Sequence, residues 1–312
     1  MLLIYLSVHS KNTLGFSIFS HEKLYPPYKY GTIGVCAKSA IFLQRGYVME
    51  LNEQLQAEFV QKLPSLEKFY VLFSHLTRVP YMVYNEETCE DDSYLFTTEE
   101  AATAKAKLLT ESGEQPCIAM CVENKDFLNI LSSFFAYGIT ALDFTTEEGR
   151  VYLKLRDIIK RPDVSQIPEN QRPLENAALQ SSIIYYMQQL RKKDPSIDLQ
   201  KRKEMDEEMG ANIRRATYLL PLMAVEEEGA QQVKHILFRP NESTCLVPLF
   251  SDGMEYQRFR GQQAELRGVP IDFEKLSTMD MPGDAKGFII NPHGVALILT
   301  KEYIAKIKEM FE

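Results

Sequence analysis

The sequence predicts a mixed α/β (α+β) fold, built as two tandem repeats of a small mixed β-sheet with packed helices. Three observations lead to this prediction. The same succession of helix and strand patterns runs through the chain twice, a segment with three prolines separates the two runs, and two landmarks are almost equally spaced in each run. We therefore predict a first copy at residues 49–161, a linker at 162–173 and a second copy at 174–312.

Each copy begins with helical material. In the first, apolar residues recur at steps of three or four from Leu51 to Phe69, the period of an amphipathic helix, and Pro64 interrupts them. In the second, apolar residues at the same steps run from Leu179 to Leu190, and the charged stretch Leu199–Arg215 follows. We expect helices in both places.

The same series of elements then follows in each copy. It consists of two strands, a capped helix, a third strand, a short helix that starts with Asp-Phe, a closing hairpin and a last helix. The successive elements start at Val79, Ser93, Thr97, Cys117, Asn124, Ile139 and Leu155 in the first copy. They start at Tyr218, Leu246, Ser251, Glu265, Pro270, Gly287 and Tyr303 in the second, which inserts an extra strand at His235–Phe238.

The spacing of landmarks supports this alignment of the two copies. Phe127 precedes Gly149 by 22 residues, and Phe273 precedes Gly294 by 21. This agreement is the strongest sign that the alignment is not due to chance.

Helix starts explain several prominent polar residues. The segments Thr97–Glu100 and Ser251–Glu255 each place an acceptor at a helix start and a glutamate three residues later, as in a capping box. Asp126 and Asp272 recur in both copies and resemble a catalytic pair. We interpret them as helix-capping residues that favour the positive end of a helix dipole.

The first 48 residues differ from the rest. They contain five tyrosines and a net charge of +4, so the remaining 264 residues carry −12. One hypothesis is that residues 1–48 are not native: Arg45-Gly46 can be encoded by a purine-rich stretch that would serve as a ribosome-binding sequence before a natural start at Met49. The other is a genuine N-terminal arm that adds a hairpin or contacts a partner.

Charge and hydropathy exclude several classes of partner. An acidic body of this size repels phosphate backbones and anionic lipid, so we expect no nucleic acid and no membrane as partner. A neutral or basic protein is compatible with it. No apolar run reaches the roughly 18–20 residues that span a bilayer, and the apolar start lacks a positive region, so we expect neither an anchor nor a signal peptide.

The cysteines indicate a reducing compartment. Five scattered cysteines include no C-x-x-C pair, and Cys117 and Cys121 are interpreted as small core residues on one face of a strand. Free thiols in a core are typical of cytoplasmic proteins, so we predict a cytoplasmic location.

The second copy resembles the N-terminal domain of the SseB family, the proteins of enhanced serine sensitivity. The residues that carry the resemblance are Leu246–Asp252, similar to the family's strand-to-helix junction, and Gly287–Tyr303, similar to its I-N-P-x-G hairpin and closing helix. The match covers about residues 215–311. The first copy is a looser version, with Thr-Thr-Glu-Glu-Gly where the second has Asn-Pro-His-Gly. The resemblance implies a cytoplasmic bacterial protein and implies no activity.

Catalytic motifs are missing from the sequence. It contains no phosphate-binding glycine loop, no G-x-S-x-G and no H-E-x-x-H, and its five histidines do not cluster with acids at metal-ligand spacing. His293 is the strongest single candidate for a general base, because it lies in an exposed turn beside Gly294. We interpret it as a solvated position in a turn set by Asn291-Pro292, with Gly294 supplying positive φ. We predict no catalytic, cofactor-binding or metal-binding residues.

These observations favour a non-enzymatic protein-binding or regulatory module over an enzyme. Its protein partner is unidentified. The alternative is a small-molecule-sensing or enzymatic protein with a site between the two domains. A third hypothesis is a homo-oligomer formed through exposed strand edges. Within the charged stretch, Leu199, Met205 and Met209 are interpreted either as part of an exposed mixed-charge helix or as a face that docks a partner.

Overall fold

The structure is a computed structural model that describes residues 53–113, 116–168, 171–190, 198–227 and 230–311. Residues Phe59–Glu312 form one compact unit, and the fold below is that of this unit and of the helix at 53–62 that leads into it. The predicted N-terminal segment 1–48 lies outside the described residues. No helix within the described ranges is long and apolar enough to cross a membrane.

The fold class is mixed α/β, as predicted, with small mixed sheets and packed helices. The strands are β1 (Lys68–Ser74), β2 (Met82–Asn85), β3 (Glu90–Phe96), β4 (Cys117–Glu123), β5 (Ala141–Thr145), β6 (Arg150–Lys154), β7 (Thr217–Glu227), β8 (Ala230–His235), β9 (Phe238–Asn241), β10 (Thr244–Leu249), β11 (Leu266–Asp272), β12 (Gly287–Ile290) and β13 (Leu297–Thr300). The helices are α1 (53–62), α2 (Glu99–Glu111), α3 (Phe127–Tyr137), α4 (Leu155–Ile158), α5 (Ala177–Leu190), α6 (Leu199–Arg215), α7 (Gly253–Arg260), α8 (Phe273–Thr278) and α9 (Lys301–Met310).

We call the part of the chain with β1 to β6 the first half and the part with β7 to β13 the second half. The first half contains one six-stranded sheet. Its order is β4-β1-β3-β5-β6, and β2 pairs with β3 beside this path. Neighbours are antiparallel except β3 and β5, which are parallel. Successive side chains of β1 point to opposite faces. On one face, Tyr70 and Leu72 therefore pack in a hydrophobic cluster with buried residues of α2. On the other face, the ring centroid of Phe69 lies 4.3 Å from that of Phe127 in α3.

The second half contains two smaller sheets linked by one bridge. Their orders are β11-β7-β8 and β13-β12-β10-β9, and the antiparallel bridge Leu219↔Phe250 links β7 to the end of β10. Through this bridge the strands run β11-β7-β10-β12-β13, with β10 and β12 parallel. This is the order and sense of pairing of the first half. Even the register agrees, because Tyr70 pairs with Phe96 where Leu219 pairs with Phe250.

One strand was missed in the sequence. The expected helical pattern extended to Phe69, and the first strand was expected at Val79, but residues 68–74 form β1. By its pairing, β1 and not β2 occupies the place that β7 holds in the second half. The reason is that β1 is a central strand with Phe69, Val71 and Leu72 fully buried, so its apolar run lacks the alternation that marks a strand.

The extra strand of the second half also differs from the expectation. Residues 238–241 form β9, which pairs with β10 as β2 pairs with β3. The described strand without a first-half counterpart is β8, which forms a hairpin with β7.

Helix capping is confirmed at most of the expected positions. Thr98, rather than Thr97, caps α2, Asp252 caps α7 and Asp272 caps α8, each accepting a backbone N–H three residues ahead. Asp126 is the exception. It precedes α3 but its side chain makes no cap hydrogen bond, because the chain enters α3 through a 3-10 turn at Asn124–Asp126.

Helix α5, expected to open the second copy, packs on the first half. The amide of Gln188 donates to Met82 O at 2.8 Å, and the hydroxyl of Tyr185 donates to Asp91 Oδ1 at 2.6 Å. The predicted boundaries at residues 48, 161 and 173 stay predictions.

Candidate functional site

Metal-binding side chains are dispersed in the described part of the chain. No group of three or more His, Cys, Asp or Glu residues there could hold a metal ion. Cys89, Cys117, Cys121 and Cys245 are free thiols. Burial raises the pKa of Cys117 to about 12, which disfavours the reactive thiolate form at neutral pH. Cys121 differs from the expectation, because its side chain is exposed rather than in the core.

An acidic group lies where β2, β3, β5 and β6 meet. Asp92 is buried and accepts hydrogen bonds of 2.8 Å from Asn85 Nδ2 and from the hydroxyl of Tyr152. Burial raises the pKa of Asp92, while these two donors oppose the rise. Asp143 is buried nearby and accepts from the guanidinium of Arg150. Both carboxylates thus have structural partners on neighbouring strands.

A second group of ionisable side chains joins α3 to α7, and we call Tyr137, Asp252, Glu255 and Arg258 the carboxylate cluster. Glu255 is only 1% exposed. Its Oε1 accepts from Arg258 Nη1 at 2.9 Å and from the hydroxyl of Tyr137 at 3.4 Å, while Oε2 has no hydrogen-bond partner among the described residues. Asp252 uses Oδ1 to accept the backbone N–H of Glu255 at 2.9 Å. The glutamate therefore faces another element instead of closing the expected capping box.

Burial is the main influence on Glu255. It raises the pKa of this carboxyl; the charge of Arg258 opposes the rise, and the nearby carboxylate of Asp252 adds to it. The folded protein therefore binds a proton at Glu255 more readily than the unfolded chain does.

The loop after β12 is shaped around Glu255. A Cβ on Gly294 would lie 3.1–3.2 Å from the two carboxylate oxygens of Glu255, so the glycine leaves room for that side chain. The expectation that Gly294 supplies positive φ is wrong, because Asn291 and Ala296 are the left-handed residues here, at 49° and 52°. Asparagine adopts this conformation more readily than most residues, and the side-chain amide of Asn291 is hydrogen-bonded to Ser251 between β10 and α7.

His293 is exposed in this turn, as expected, but its ring has neighbours. It lies 5.6 Å from the ring centroid of Phe259 and 6.2 Å from that of Phe238. Partial burial lowers the pKa of His293, and the positive charges of Arg258 and Arg78 lower it further. No described hydrogen bond orients its imidazole as a general base would require.

We expect Glu255→Gln to change the pH dependence of stability. Because the pKa of Glu255 is raised on folding, the wild-type free energy of unfolding should fall as pH rises above the ordinary glutamate value of 4.5. Glutamine does not ionise, so the variant should gain stability relative to wild type between pH 4 and pH 7. Urea unfolding at several pH values measures this difference. A difference that is flat or shrinks with rising pH would contradict it.

The charged helix α6 is mostly structural. Met209 is fully buried, and the place of Gly210 is bounded by Phe311 and Ile307. The hypothesis that Met209 faces a partner is therefore wrong, whereas Leu199 at the start of the helix is 78% exposed.

The strand β4 has one backbone edge that no described strand pairs with. The backbone N–H of His75 donates to Pro116 O at 3.0 Å, and the backbone N–H of Asn124 donates to Glu67 O at 2.9 Å. Because Pro116 and Asn124 flank β4 and are both even-numbered, the even-numbered residues of β4 are the ones hydrogen-bonded to β1. In an antiparallel ladder the alternate residues point their N–H and C=O groups away from the neighbour. We call the outward groups of Ala119, Cys121 and Glu123 the β4 edge. Within the described ranges, no strand pairs with it.

The side chains of the β4 edge strand are uncharged from Cys117 to Val122. Ile118 is 52% exposed, although residues of its type are usually buried. Cys117 and Ala119 pack on the α2 face. The other strand that ends the first sheet, β6, carries charges at Arg150 and Lys154 instead.

The corresponding edge strand of the second half, β11, is closed. Leu219 exchanges hydrogen bonds of 2.9 and 3.0 Å with Phe250, so its partner Pro270 on β11 points its backbone outward. Pro270 has no N–H, and prolines on edge strands block the addition of another strand. Cys121 holds the matching position on β4, since it pairs with Tyr70 as Pro270 pairs with Leu219.

Comparison with known proteins adds little. No family model and no curated protein matches the chain. Two solved structures are similar to it: Tic22 from Anabaena, described as a protein of protein transport, and Tic22 from Plasmodium falciparum. In each case the identity is 11%, the match covers 81% of this chain and 96% of the other, and the TM-score is 0.19. At that score the similarity carries no argument about fold or function. The resemblance to the SseB family stays a prediction.

Sequence reasoning missed both the carboxylate cluster and the β4 edge. Tyr137 and Glu255 are 118 residues apart, and no local pattern connects them. The contrast between Cys121 and Pro270 was visible in the sequence, but β1 had to be recognised before the two positions could be aligned.

Proposed function

We propose that this chain is a non-enzymatic, cytoplasmic protein-binding module that pairs its β4 edge with an extended segment of another protein. The single observation that carries the proposal is the backbone at Ala119 and Cys121, which no strand of the described residues pairs with and which lies beside the exposed Ile118. Strand addition uses such main-chain groups for affinity and adjacent side-chain positions for specificity. The free thiols of the described residues support a reducing compartment.

The two halves explain why this edge and not its counterpart would bind. An exposed strand of seven residues that is uncharged over six of them, Cys117–Val122, invites pairing, and proteins usually protect such edges with proline or charge. Pro270 provides that protection in β11, whereas the position of Cys121 has a backbone donor. Among the described strands, an edge left unpaired in one half and blocked by proline in the other supports a binding role.

A substitution that copies Pro270 into the first half tests the proposal. Cys121→Pro removes the outward N–H but leaves the hydrogen bonds between β4 and β1, whereas Cys121→Ser keeps the N–H. We expect a displayed library of random peptides to yield peptides that bind the wild type. These peptides should bind Cys121→Ser with similar affinity and Cys121→Pro at least tenfold more weakly.

The library experiment also contains the contrary results. Binders that ignore Cys121→Pro, or a library that enriches none, would overturn the proposal. Far-ultraviolet circular dichroism and urea unfolding of both variants show that loss of binding is not loss of the fold.

A further inference from the structure

We infer that the segment received by the β4 edge is a basic strand with alternating apolar residues, an inference that rests on the proposed function. The chemistry follows from two properties of the structure: the two rows of side chains on β4, and the charge of the body to which β4 belongs.

The rows of β4 predict the side-chain pattern of the added strand. Ile118 and Met120 lie on one face of the sheet, and Ala119 and Cys121 on the other, because successive residues alternate. A neighbouring strand would place one row beside the partly exposed Ile118 and Met120, where apolar side chains remove surface from water. Its other row would lie beside the exposed Cys121 and Glu123, where polar side chains stay hydrated.

Net charge predicts the sign of the polar row. Residues 49–312 carry −12, whereas β4 from Cys117 to Val122 is uncharged and Glu123 is paired with Lys125 at 2.7 Å. The β4 edge itself therefore has little preference for either sign of charge in a bound segment. The electrostatic field of the acidic residues 49–312 determines which sign is preferred. An acidic body accelerates the approach of basic segments and slows that of acidic ones.

The same charge disfavours a second copy as the occupant. Each whole protein molecule has a net charge of −8, so two molecules brought together edge to edge repel each other. A basic segment of a different protein gains from the charge that a second copy would oppose.

Matched synthetic peptides test this inference. The probes are a fluorescent nine-residue peptide that alternates valine with lysine, the same peptide with glutamate in place of lysine, and the lysine peptide with a central proline. At 50 mM salt we expect the lysine peptide to bind at least tenfold more tightly than either of the others. At 300 mM salt its advantage over the glutamate peptide should shrink, because salt screens the charge of the body. Fluorescence anisotropy measures the affinities.

Two controls separate strand pairing from general attraction between opposite charges. Cys121→Pro leaves every charge in place and should bind the lysine peptide at least tenfold more weakly than the wild type does. Cys121→Ser should bind it with similar affinity. In the wild type, bound peptide should slow alkylation of Cys121 by iodoacetamide. The rate at Cys89, which is exposed in the turn between β2 and β3, should not change.

Several results would overturn the inference. Equal affinity for the lysine and glutamate peptides removes the charge preference, and retained binding by Cys121→Pro shows attraction without strand addition. Protection of Cys121 that grows with protein concentration and without peptide would make a second copy the occupant. If library binders select the β4 edge but are acidic, the partner chemistry fails while the proposed function stands.

Discussion

Phe144→Ala should destabilise the protein by about 3–5 kcal/mol, the usual cost of removing a large aromatic side chain from a core. Phe144 on β5 is fully buried, and its ring centroid lies 4.9 Å from that of Phe59 and 5.9 Å from that of Phe69. The truncation removes the ring on which both neighbours pack. It also leaves a cavity that strands paired on both sides of β5 cannot fill easily.

Urea unfolding followed by circular dichroism measures this loss as a shift of the midpoint. Leu128→Ala is the matched control, because Leu128 on α3 is 65% exposed and its truncation should change stability by no more than about 0.5 kcal/mol. If the two variants unfold at the same urea concentration, the described core is wrong.

Gly287→Ala should destabilise the protein by about 2–3 kcal/mol, near the upper end for overpacking. A Cβ on Gly287 would lie 2.5 Å from the carbonyl oxygen of Leu299 and 3.3 Å from the Cα of Thr300. Both obstacles are backbone atoms of the paired strand β13, so no side-chain rotation relieves the contact. The strands β12 and β13 would have to separate, which disturbs the pairing that closes the second half.

The first half offers the control for this glycine. Ala141 pairs with Lys154 just before α4, as Gly287 pairs with Thr300 just before α9. Ala141→Gly should cost only about 1 kcal/mol, from lost backbone restriction and a lost buried methyl group. A Gly287→Ala variant as stable as wild type would show that β12 and β13 are farther apart than described.

Local patterns predicted the ends of the two halves well. The closing hairpins were expected at Ile139–Leu153 and Gly287–Leu299, and β5, β6, β12 and β13 lie within a residue or two of these ranges. Alternating or short apolar runs around turn residues make such hairpins visible, because pattern and turn chemistry agree. The charged helix α6 was also predicted, from its dense charges of mixed sign.

Patterns failed where several elements determine a residue's environment. Phe69 belongs to a helical spacing and also to a strand, and only burial between β3 and β4 decides for the strand. Asp126 resembles Asp272 in sequence, yet a 3-10 turn before α3 removes its capping role. Gly294 was explained by backbone conformation, although its reason is the carboxylate of Glu255 beside it.

The sequence by itself determined the fold class, the order of most elements and the acidic charge of the body. These depend on composition and on periodicities within about ten residues, which are printed in the chain. Only the tertiary structure decided that Tyr137, Glu255 and Arg258 meet, that β1 pairs as β7 does, and that β4 has an edge that no described strand pairs with, where β11 carries Pro270. These features arise from contacts between distant segments, whose energies no local pattern contains.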